Sequence, residues 1–423
     1  MIRLDYEPHP GQRKLHACRA RFVTVCCGRR WGKTKYAAAK LLDEGGEVAG
    51  DYGWIAPTYL IADRGVEALR EIGGSFIDIH GDNPTVAEFD GAGGHVRILF
   101  LSADRPQAIL GFGFMGIVVD ETAQISANVW TTYIRPTLSD HMGWATLIST
   151  PRGRNWFFDM FTRGTAGEAG YASFTFPSNS NPYFPAEEWE EARRTLPSDV
   201  FRQEYMAEFL EDSAGVFRGI ERCLVDETRQ VGRPVIGIDL AKHNDYTVLV
   251  AMDGQTGDVL NVDRFNLLDW PVQKRRIRDF CLKWGGTAWM EVNNMGDAIY
   301  DDLKTEIPDL RAWITTNATK TQAIQTLSVD IEQERIHWPR KYAWLTDELK
   351  RFEFKFSARG TMIYGAPEGY HDDGVMGLSI ANVNRPHNGR GQGMPVLFGE
   401  EWPSGAIRFG TRRLGSKTRL EVC

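Results

Sequence analysis

The sequence predicts an α/β protein built on two sheets, one mostly parallel in its N-terminal half and one mixed in its C-terminal half. Three observations carry that prediction. In the first half, short apolar, β-branched runs alternate with helix-forming segments, the pattern of strands covered on both faces. A glycine-containing turn at residues 28–34 joins the first of these runs to a helix. In the second half, three strand-like runs separated by short turns lead into alternating helices and strands.

Taken in order, "RFVTVCC" is the first strand and "KTKYAAAKLLDE" a helix by composition. "YGWIAPT", "HVRILFLS", "MGIVVDE" and "WATLIST" are further strands, and with them residues 1–163 form one core. Residues 164–233 change character. "PSNSNPYFP" is turn-rich, and "AEEWEEARRTLPSDVFRQEYMAEF" reads as two short helices split at Pro197. This stretch is expected to be a connecting subdomain. A second unit, 234–385, opens with "PVIGIDL", "DYTVLVAMD" and "GDVLNVDRF" as an antiparallel meander. "PVQKRRIRDFCLKW" (helix), "TAWMEV" (strand), "GDAIYDDLK" (helix), "RAWITT" (strand) and "TKTQAIQTLSVDIEQERI" (helix) follow. Residues 386–423, rich in glycine, arginine and proline, read as a basic, partly flexible tail.

Composition removes several classes of function. No apolar run is long enough to span a bilayer, and the polar N-terminus lacks the apolar region of a secretory signal. The six cysteines form no C-x-x-C pair, so neither a zinc site nor a disulfide framework is indicated, and a reducing cytoplasm fits. A net charge of -7 argues against a uniformly basic nucleic-acid coat. It leaves room for a local DNA-gripping surface, for which "QKRRIR" at 273–278 and the tail are candidates.

A phosphate-holding loop needs small residues, so that backbone N–H groups converge on the oxygens. It also needs a lysine for the β- and γ-phosphates and a hydroxyl for Mg²⁺. Gly28, Gly32, Lys33 and Thr34 supply these between a strand and a helix. The standard first glycine would fall at position 27, where Cys27 stands. Gly28 therefore opens a tighter or shifted turn, and Arg29 and Arg30 lie inside it. "GIVVDE" ends in two carboxylates: Asp120 suits Mg²⁺, and Glu121 suits orienting and deprotonating a water. Ser149 and Thr150, at the end of "LIST", are placed to sense the γ-phosphate. The amide of Gln12 matches an adenine edge.

A second constellation is acidic. Asp239 ends "VIGID", Glu291 ends "TAWME", and Asp372 and Asp373 open the apolar helix "GVMGLSIANV". Carboxylates delivered from a first strand, a later strand and a late helix are what a ribonuclease-H-like nuclease uses to hold two Mg²⁺ or Mn²⁺ ions. Asp245 is an additional ligand candidate or a group that steers DNA. His371 adjoins the aspartate pair, and Asp372 alone also fits a helix cap.

The order "PGQ … GRRWGKT … APT … IVVDET … STPRG", followed by "IGID … DYT" and "HDD", resembles the large terminase subunit of tailed bacteriophages over residues 6–384. The resemblance implies an ASCE/RecA-like P-loop ATPase domain joined to a ribonuclease-H-like nuclease domain. It implies ATP with Mg²⁺ at residues 28–34, with Gln12 on adenine, Asp120 and Glu121 as metal and base pair, and Ser149, Thr150 and Pro151 coupling hydrolysis to movement. It further implies double-stranded DNA, a small terminase subunit and a procapsid portal as partners. A homo-oligomeric ring in the host cytoplasm, docked transiently on the procapsid, completes the implied setting, with no membrane. One feature departs from the family. Where many members carry an arginine finger before a glycine, Leu110 precedes Gly111, leaving Arg105, Arg135 or Arg152 as replacements or no finger at all. Two other readings stay open: a helicase fused to a nuclease, and a nucleotide-dependent DNA-binding switch.

Overall fold

The computed structural model describes residues 4–210, 215–240, 245–292, 296–357 and 362–386. The basic tail predicted at 386–423 lies, from residue 387 onward, outside the described residues.

The first sheet has eight strands. These are β1 (Phe22–Cys27), β2 (Gly50–Ala56), β3 (Asp78–His80), β4 (Thr85–Gly91), β5 (Gly94–Ser102), β6 (Gly116–Asp120), β7 (Trp144–Ser149) and β8 (Tyr171–Phe176). Their order is β3-β4-β5-β2-β6-β7-β1-β8. All pairings from β5 to β8 are parallel, and β3 and β4 add an antiparallel edge. Side chains alternate across a strand. Val23, Val25 and Cys27 therefore join one buried layer, with residues of helices α2 (Lys33–Glu47) and α3 (Tyr59–Gly73). Phe22 and Cys26 join the opposite layer, with Phe157 and Met160 of α4 (Trp156–Thr165). A short helix, α1 (Pro10–His16), precedes β1. Strand β8 falls inside the stretch read as a connector. Its residues are mostly half-buried, so "YASFTF" lacks the continuous apolar run that marks the strands inside the sheet.

Residues of the connector form α5 (Ala186–Thr195) and α6 (Ser198–Glu204), divided at Pro197 as expected. A two-residue strand, β9 (Leu224–Val225), leads to the second sheet. That sheet contains β10 (Pro234–Asp239), β11 (Thr247–Asp253), β12 (Val259–Phe265), β13 (Thr287–Glu291) and β14 (Leu310–Trp313), in the order β12-β11-β10-β13-β14. The meander β10–β12 is antiparallel, and β10, β13 and β14 are parallel, giving the predicted mixed sheet. Helices α7 (Trp270–Trp284) and α8 (Gly296–Lys304) contribute Ile277, Phe280 and Leu303 to the layer on one face, with Ile236 and Ile238 of β10. The other layer holds α9 (Asn317–Glu332), α10 (Ala343–Arg351) and α11 (Asp373–Val383). Between these helices, β15 (Trp338–Pro339) pairs with β9, and β16 (Glu353–Phe356) pairs with β17 (Met362–Gly365) as an antiparallel hairpin.

Helix α11 is apolar on all sides and fully buried along most of its length, as a helix inside a core must be. Gly237 lets it lie directly on β10: a Cβ there would stand 2.2 Å from the Gly377 carbonyl oxygen and 2.5 Å from the Ala381 nitrogen. Both obstacles are backbone, so neither can swing aside. Gly237→Ala is expected to lower unfolding stability by about 3 kcal/mol through overpacking, read from urea denaturation.

The five described cysteines are free thiols. Among the described residues, no helix is long and apolar enough to cross a membrane.

Candidate active sites

Strand β1 runs buried to Cys27, and the chain then turns sharply. Gly28 has no room for a side chain: a Cβ would meet Ser178 Oγ and the Tyr205 carbonyl oxygen, both at 2.4 Å. The glycine is therefore displaced by one position because connector backbone crosses the loop there. The Gly28 N–H donates to the Phe176 carbonyl (2.9 Å) and the Arg29 N–H to the Glu204 carbonyl (2.7 Å). Ser178 Oγ donates to the Arg29 carbonyl (2.7 Å) and Asn181 Nδ2 to the Arg30 carbonyl (2.9 Å). Arg30 and Gly32 take left-handed backbone (φ 60° and 99°), closing the turn so that α2 begins at Lys33. Thr34 follows, half-buried in the first turn of α2. Gln12 is buried; its Nε2 donates to the Gly32 carbonyl (3.0 Å) and its Oε1 accepts the His9 N–H (3.0 Å). It braces the loop, and an adenine contact would have to use its remaining amide hydrogen.

Parallel pairing sets the ends of β6 and β7 side by side, with Asp120 opposite Ile148. Lys33 Nζ lies 3.0 Å from Glu121 Oε1, and Ser149 Oγ lies 3.5 Å from Glu121 Oε2. Ser149 and Thr150 are both buried. Glu121 adopts left-handed backbone (φ 45°, ψ 45°), a strained conformation for a non-glycine residue, and its N–H donates to Asp120 Oδ1 (2.9 Å). Burial pushes Asp120 up to about 7, reinforced by the charge of Glu121, while Lys33 and the exposed Arg64 of α3 oppose it. Burial also acts to raise Glu121, but Lys33 outweighs it by charge and hydrogen bond, with Arg152 and Arg29 assisting. Glu121 is held below the ordinary glutamate value. A buried aspartate that resists ionisation, a loop lysine and the threonine that follows it fit a nucleotide with a hard divalent cation: a cation beside Asp120 would relieve its desolvation.

Glu204, at the end of α6, is 175 residues from its partner Arg29 and escaped the sequence reading. Its side chain is 3% exposed, pairs with Arg29 Nε, and lies 3.5 Å from Arg152 Nη1. Burial acts to raise Glu204, but Arg152 and Arg29 prevail and lower it. A depressed carboxylate contributes stability above its unfolded pKa and loses it as pH falls through the folded value. The contribution of Glu204 is thus complete above 4.5 and disappears below it. Glu204→Ala is expected to cost about 3 kcal/mol at pH 7, the lower end for a broken buried pair because Arg29 is partly in water. The loss should shrink on acidification, as followed by urea denaturation across pH.

The arginine candidates separate by position. Arg152 reaches Glu204 and acts on Glu121, so it lies close to the Lys33–Glu121 pair. Arg105 is exposed beyond β5, its guanidinium 5.8 Å from the Tyr59 ring centroid at the start of α3, on the strand-end side that carries the loop. Arg135 packs 5.0 Å from the centroid of Phe22, the first residue of β1, at the opposite end of the sheet.

In the second sheet, Ile238 pairs with Met290, so Asp239 and Glu291 end neighbouring parallel strands. Both point away from the layer that holds Ile238 and Met290, toward the face carrying α11. Asp239 is buried and pushed well above the ordinary aspartate value. Burial is the leading cause, followed by a hydrogen bond with Glu291 and the charges of Glu291, Asp373 and Asp372. The four acids read from sequence therefore converge. Asp373 accepts the Tyr246 N–H at Oδ2 (3.0 Å) and is itself raised, first by burial. Asp372 takes the cap position of α11 but makes no side-chain cap bond; its Oδ2 lies 3.3 Å from Lys320 Nζ. Asp245 joins through His371, whose Nδ1 is 3.3 Å from Asp245 Oδ1 and 3.7 Å from Asp373 Oδ2. Ligand atoms of Asp245, His371 and Asp373 all lie within 4.8 Å of one another. Clustered carboxylates with an oxygen-rich donor set fit Mg²⁺ or Mn²⁺.

The basic run at 273–278 is largely answered inside the protein. Lys274 pairs with Asp302 (2.6 Å), Arg276 with Asp263 (2.6 Å), and Arg278 with Glu306 (3.0 Å). Gln273 and Ile277 are buried, and Arg275 is exposed. This run is a largely salt-bridged helix face: Lys274, Arg276 and Arg278 are paired with neighbouring acids, and Arg275 faces solvent.

Residues 26–222 match the family model for the N-terminal part of the terminase large subunit, T4-like virus type. The chain is 30% identical, over 425 aligned positions, to the terminase large subunit of Thermus virus P23-45, covering 89% of this chain and 87% of that protein. The chain belongs to the terminase large subunits. The terminase large subunit of Thermus phage G20c matches with the same identity and coverage. The solved structure of a large terminase from a thermophilic bacteriophage superposes with a TM-score of 0.57 at 11% identity, over 89% of this chain and 99% of that one. That likeness extends the fold through both sheets. As a member of this family the chain is an ATPase and a nuclease, its α/β fold comprising a mostly parallel sheet and a mixed one.

Proposed function

We propose that this terminase large subunit is the motor and the cutting subunit of viral DNA packaging: ATP hydrolysis drives double-stranded DNA into a procapsid, and two divalent ions serve a nuclease that cuts concatemeric DNA at initiation and termination. The observation that carries this reading is the presence, in one chain, of a Lys33–Glu121 pair beside Asp120 and a four-carboxylate cluster around Asp239. A nucleotide-dependent DNA-binding switch has no need of the carboxylate cluster.

At the nucleotide site, Lys33, Thr34 and the N–H groups of the loop hold the ATP phosphates, with Asp120 and Thr34 toward Mg²⁺ and Gln12 toward adenine. Bound Mg²⁺ would neutralise charge on the phosphates. Lys33 pairs with Glu121. Phosphates draw that ammonium away, which raises the proton affinity of Glu121 as a water comes within reach. Ser149, touching Glu121, passes the change to β7, and Arg152 passes it to Glu204 and α6. The first acts on movement and the second on the connector. At the cutting site, Asp239, Glu291 and Asp373, with Asp372 and Asp245 beside them, hold Mg²⁺ or Mn²⁺. There the ions would activate a water and stabilise the leaving oxygen. Of the adjacent pair, Asp373 is the stronger ligand candidate, since Asp372 Oδ2 already faces Lys320 Nζ at 3.3 Å.

The working assembly is a homo-oligomeric ring on the portal of a procapsid in the host cytoplasm, with a small terminase subunit delivering the DNA. The test is protection of linear double-stranded DNA from DNase by procapsids, the chain and ATP. Protection that needs ATP hydrolysis supports a motor. ATP-driven strand separation without protection would favour the helicase–nuclease reading.

A further inference from the structure

We infer that Arg264 and Glu348 form a positioning device that fixes the first turn of α11, and with it Asp372 and Asp373, for divalent-cation binding. The inference rests on the reading of the acidic cluster as a cation site.

A helix start presents N–H groups that need acceptors, and a cap aspartate ordinarily supplies one. Asp372 does not. Glu348, reaching over from α10, accepts the Gly374 N–H at Oε2 (2.8 Å) instead. The carboxylate of Asp372 is thereby released from capping and kept in the cluster. Position 374 is glycine for the same reason: a Cβ would stand 2.6 Å from Glu348 Oε2 and 2.6 Å from Trp344 Cζ3.

Glu348 is held in turn. Its Oε1 lies 3.1 Å from Arg264 Nη2, with the two side chains 9% and 20% exposed. The Arg264 guanidinium is clamped between aromatic rings, 3.7 Å from the Tyr246 centroid and 4.3 Å from that of Trp344. A planar, stacked cation of this kind has little freedom to reorient. Tyr246 closes the circuit, because its N–H donates to Asp373 Oδ2 (3.0 Å). One clamp thus fixes Asp373 twice, through the Tyr246 backbone and through the turn that carries it. Outer partners of this kind typically change metal affinity by about 10–100-fold when removed.

The test is a Mn²⁺ titration of the full chain without nucleotide, bound ion being read from loss of the free-ion electron paramagnetic resonance signal. Asp239→Asn provides the baseline, and melting temperature in EDTA reports folding. Glu348→Met removes the acceptor and is expected to raise the Mn²⁺ half-saturation by about 10-fold or more. Arg264→Lys loses the stacked fork and is expected to raise it several-fold. Glu348→Gln keeps an oxygen for Gly374 and should recover most of the wild-type affinity. If Glu348→Met melts too low to titrate, Arg264→Lys and Glu348→Gln decide the matter by themselves. Wild-type half-saturation in a folded Arg264→Lys or Glu348→Met chain overturns the positioning role. A wild-type titration indistinguishable from Asp239→Asn overturns the cation site itself, and the positioning role with it.

Discussion

Glu121→Gln is expected to stop ATP turnover while leaving ATP binding in place. The side chain stands at the end of β6, on a strained left-handed residue, with Lys33 at 3.0 Å holding it ionised. Phosphates that draw Lys33 away leave this carboxylate charged and raise its proton affinity, and removing a general base lowers turnover by about 10²–10⁴-fold. Binding should survive because the phosphate-holding groups are the loop N–H groups, Lys33 and Thr34. The amide also removes the negative charge that competes with phosphate for Lys33, so affinity for ATP should hold or rise. Lys33→Ala provides the contrast, losing binding and turnover together. Fluorescent-nucleotide titration and phosphate release measure the two quantities. Turnover within a few-fold of wild type in Glu121→Gln would pass the role of base to another group.

What a sequence reveals depends on how local each feature is. Strands β1, β2, β5, β6 and β7 were legible because both their faces are buried and their apolar runs are continuous. The loop and the carboxylates were legible because each motif is local or sits at an element end. The reason for Cys27 and Gly28 was not, since it lies in Ser178 and Tyr205, whose backbones pass the loop from far along the chain. Glu204 was invisible on the same ground: nothing near it in sequence marks a buried acid that takes two arginines from the nucleotide site. Lys320, Arg264 and Glu348 act through contacts that only the packing of β12, α9, α10 and α11 creates. At 273–278 the sequence shows a basic run, and the fold supplies Asp302, Asp263 and Glu306 to pair with three of its cations. Local chemistry was readable, and partners chosen by tertiary packing were not.

Asp239→Asn is expected to abolish DNA cutting, by about 10³-fold or more, and to leave ATP turnover at its wild-type rate. Removing one charged ligand from a metal-dependent hydrolase forfeits several kcal/mol of transition-state stabilisation, and about 4 kcal/mol corresponds to about 10³ in rate. Nicking of supercoiled plasmid with Mn²⁺ measures it. The metal-free chain supplies a second, independent signature. Asp239 is pushed well above its ordinary value of 3.8 by burial and by Glu291, Asp373 and Asp372. In the unfolded chain the carboxyl releases its proton near 3.8, whereas in the folded chain it retains it to higher pH. Between those values the native state binds more protons than the unfolded one, so stability falls as pH rises through that window. Asparagine has no proton to release. In EDTA, Asp239→Asn should therefore match wild type at low pH and exceed it progressively above 3.8, in urea unfolding followed across pH. Saturating Mn²⁺ should reverse the order, because the ion stabilises the chain that binds it. Retained cutting in Asp239→Asn would move the nuclease away from this cluster. A stability difference that ignores both pH and Mn²⁺ would mean that the acids are not close enough to compete for one proton or one ion.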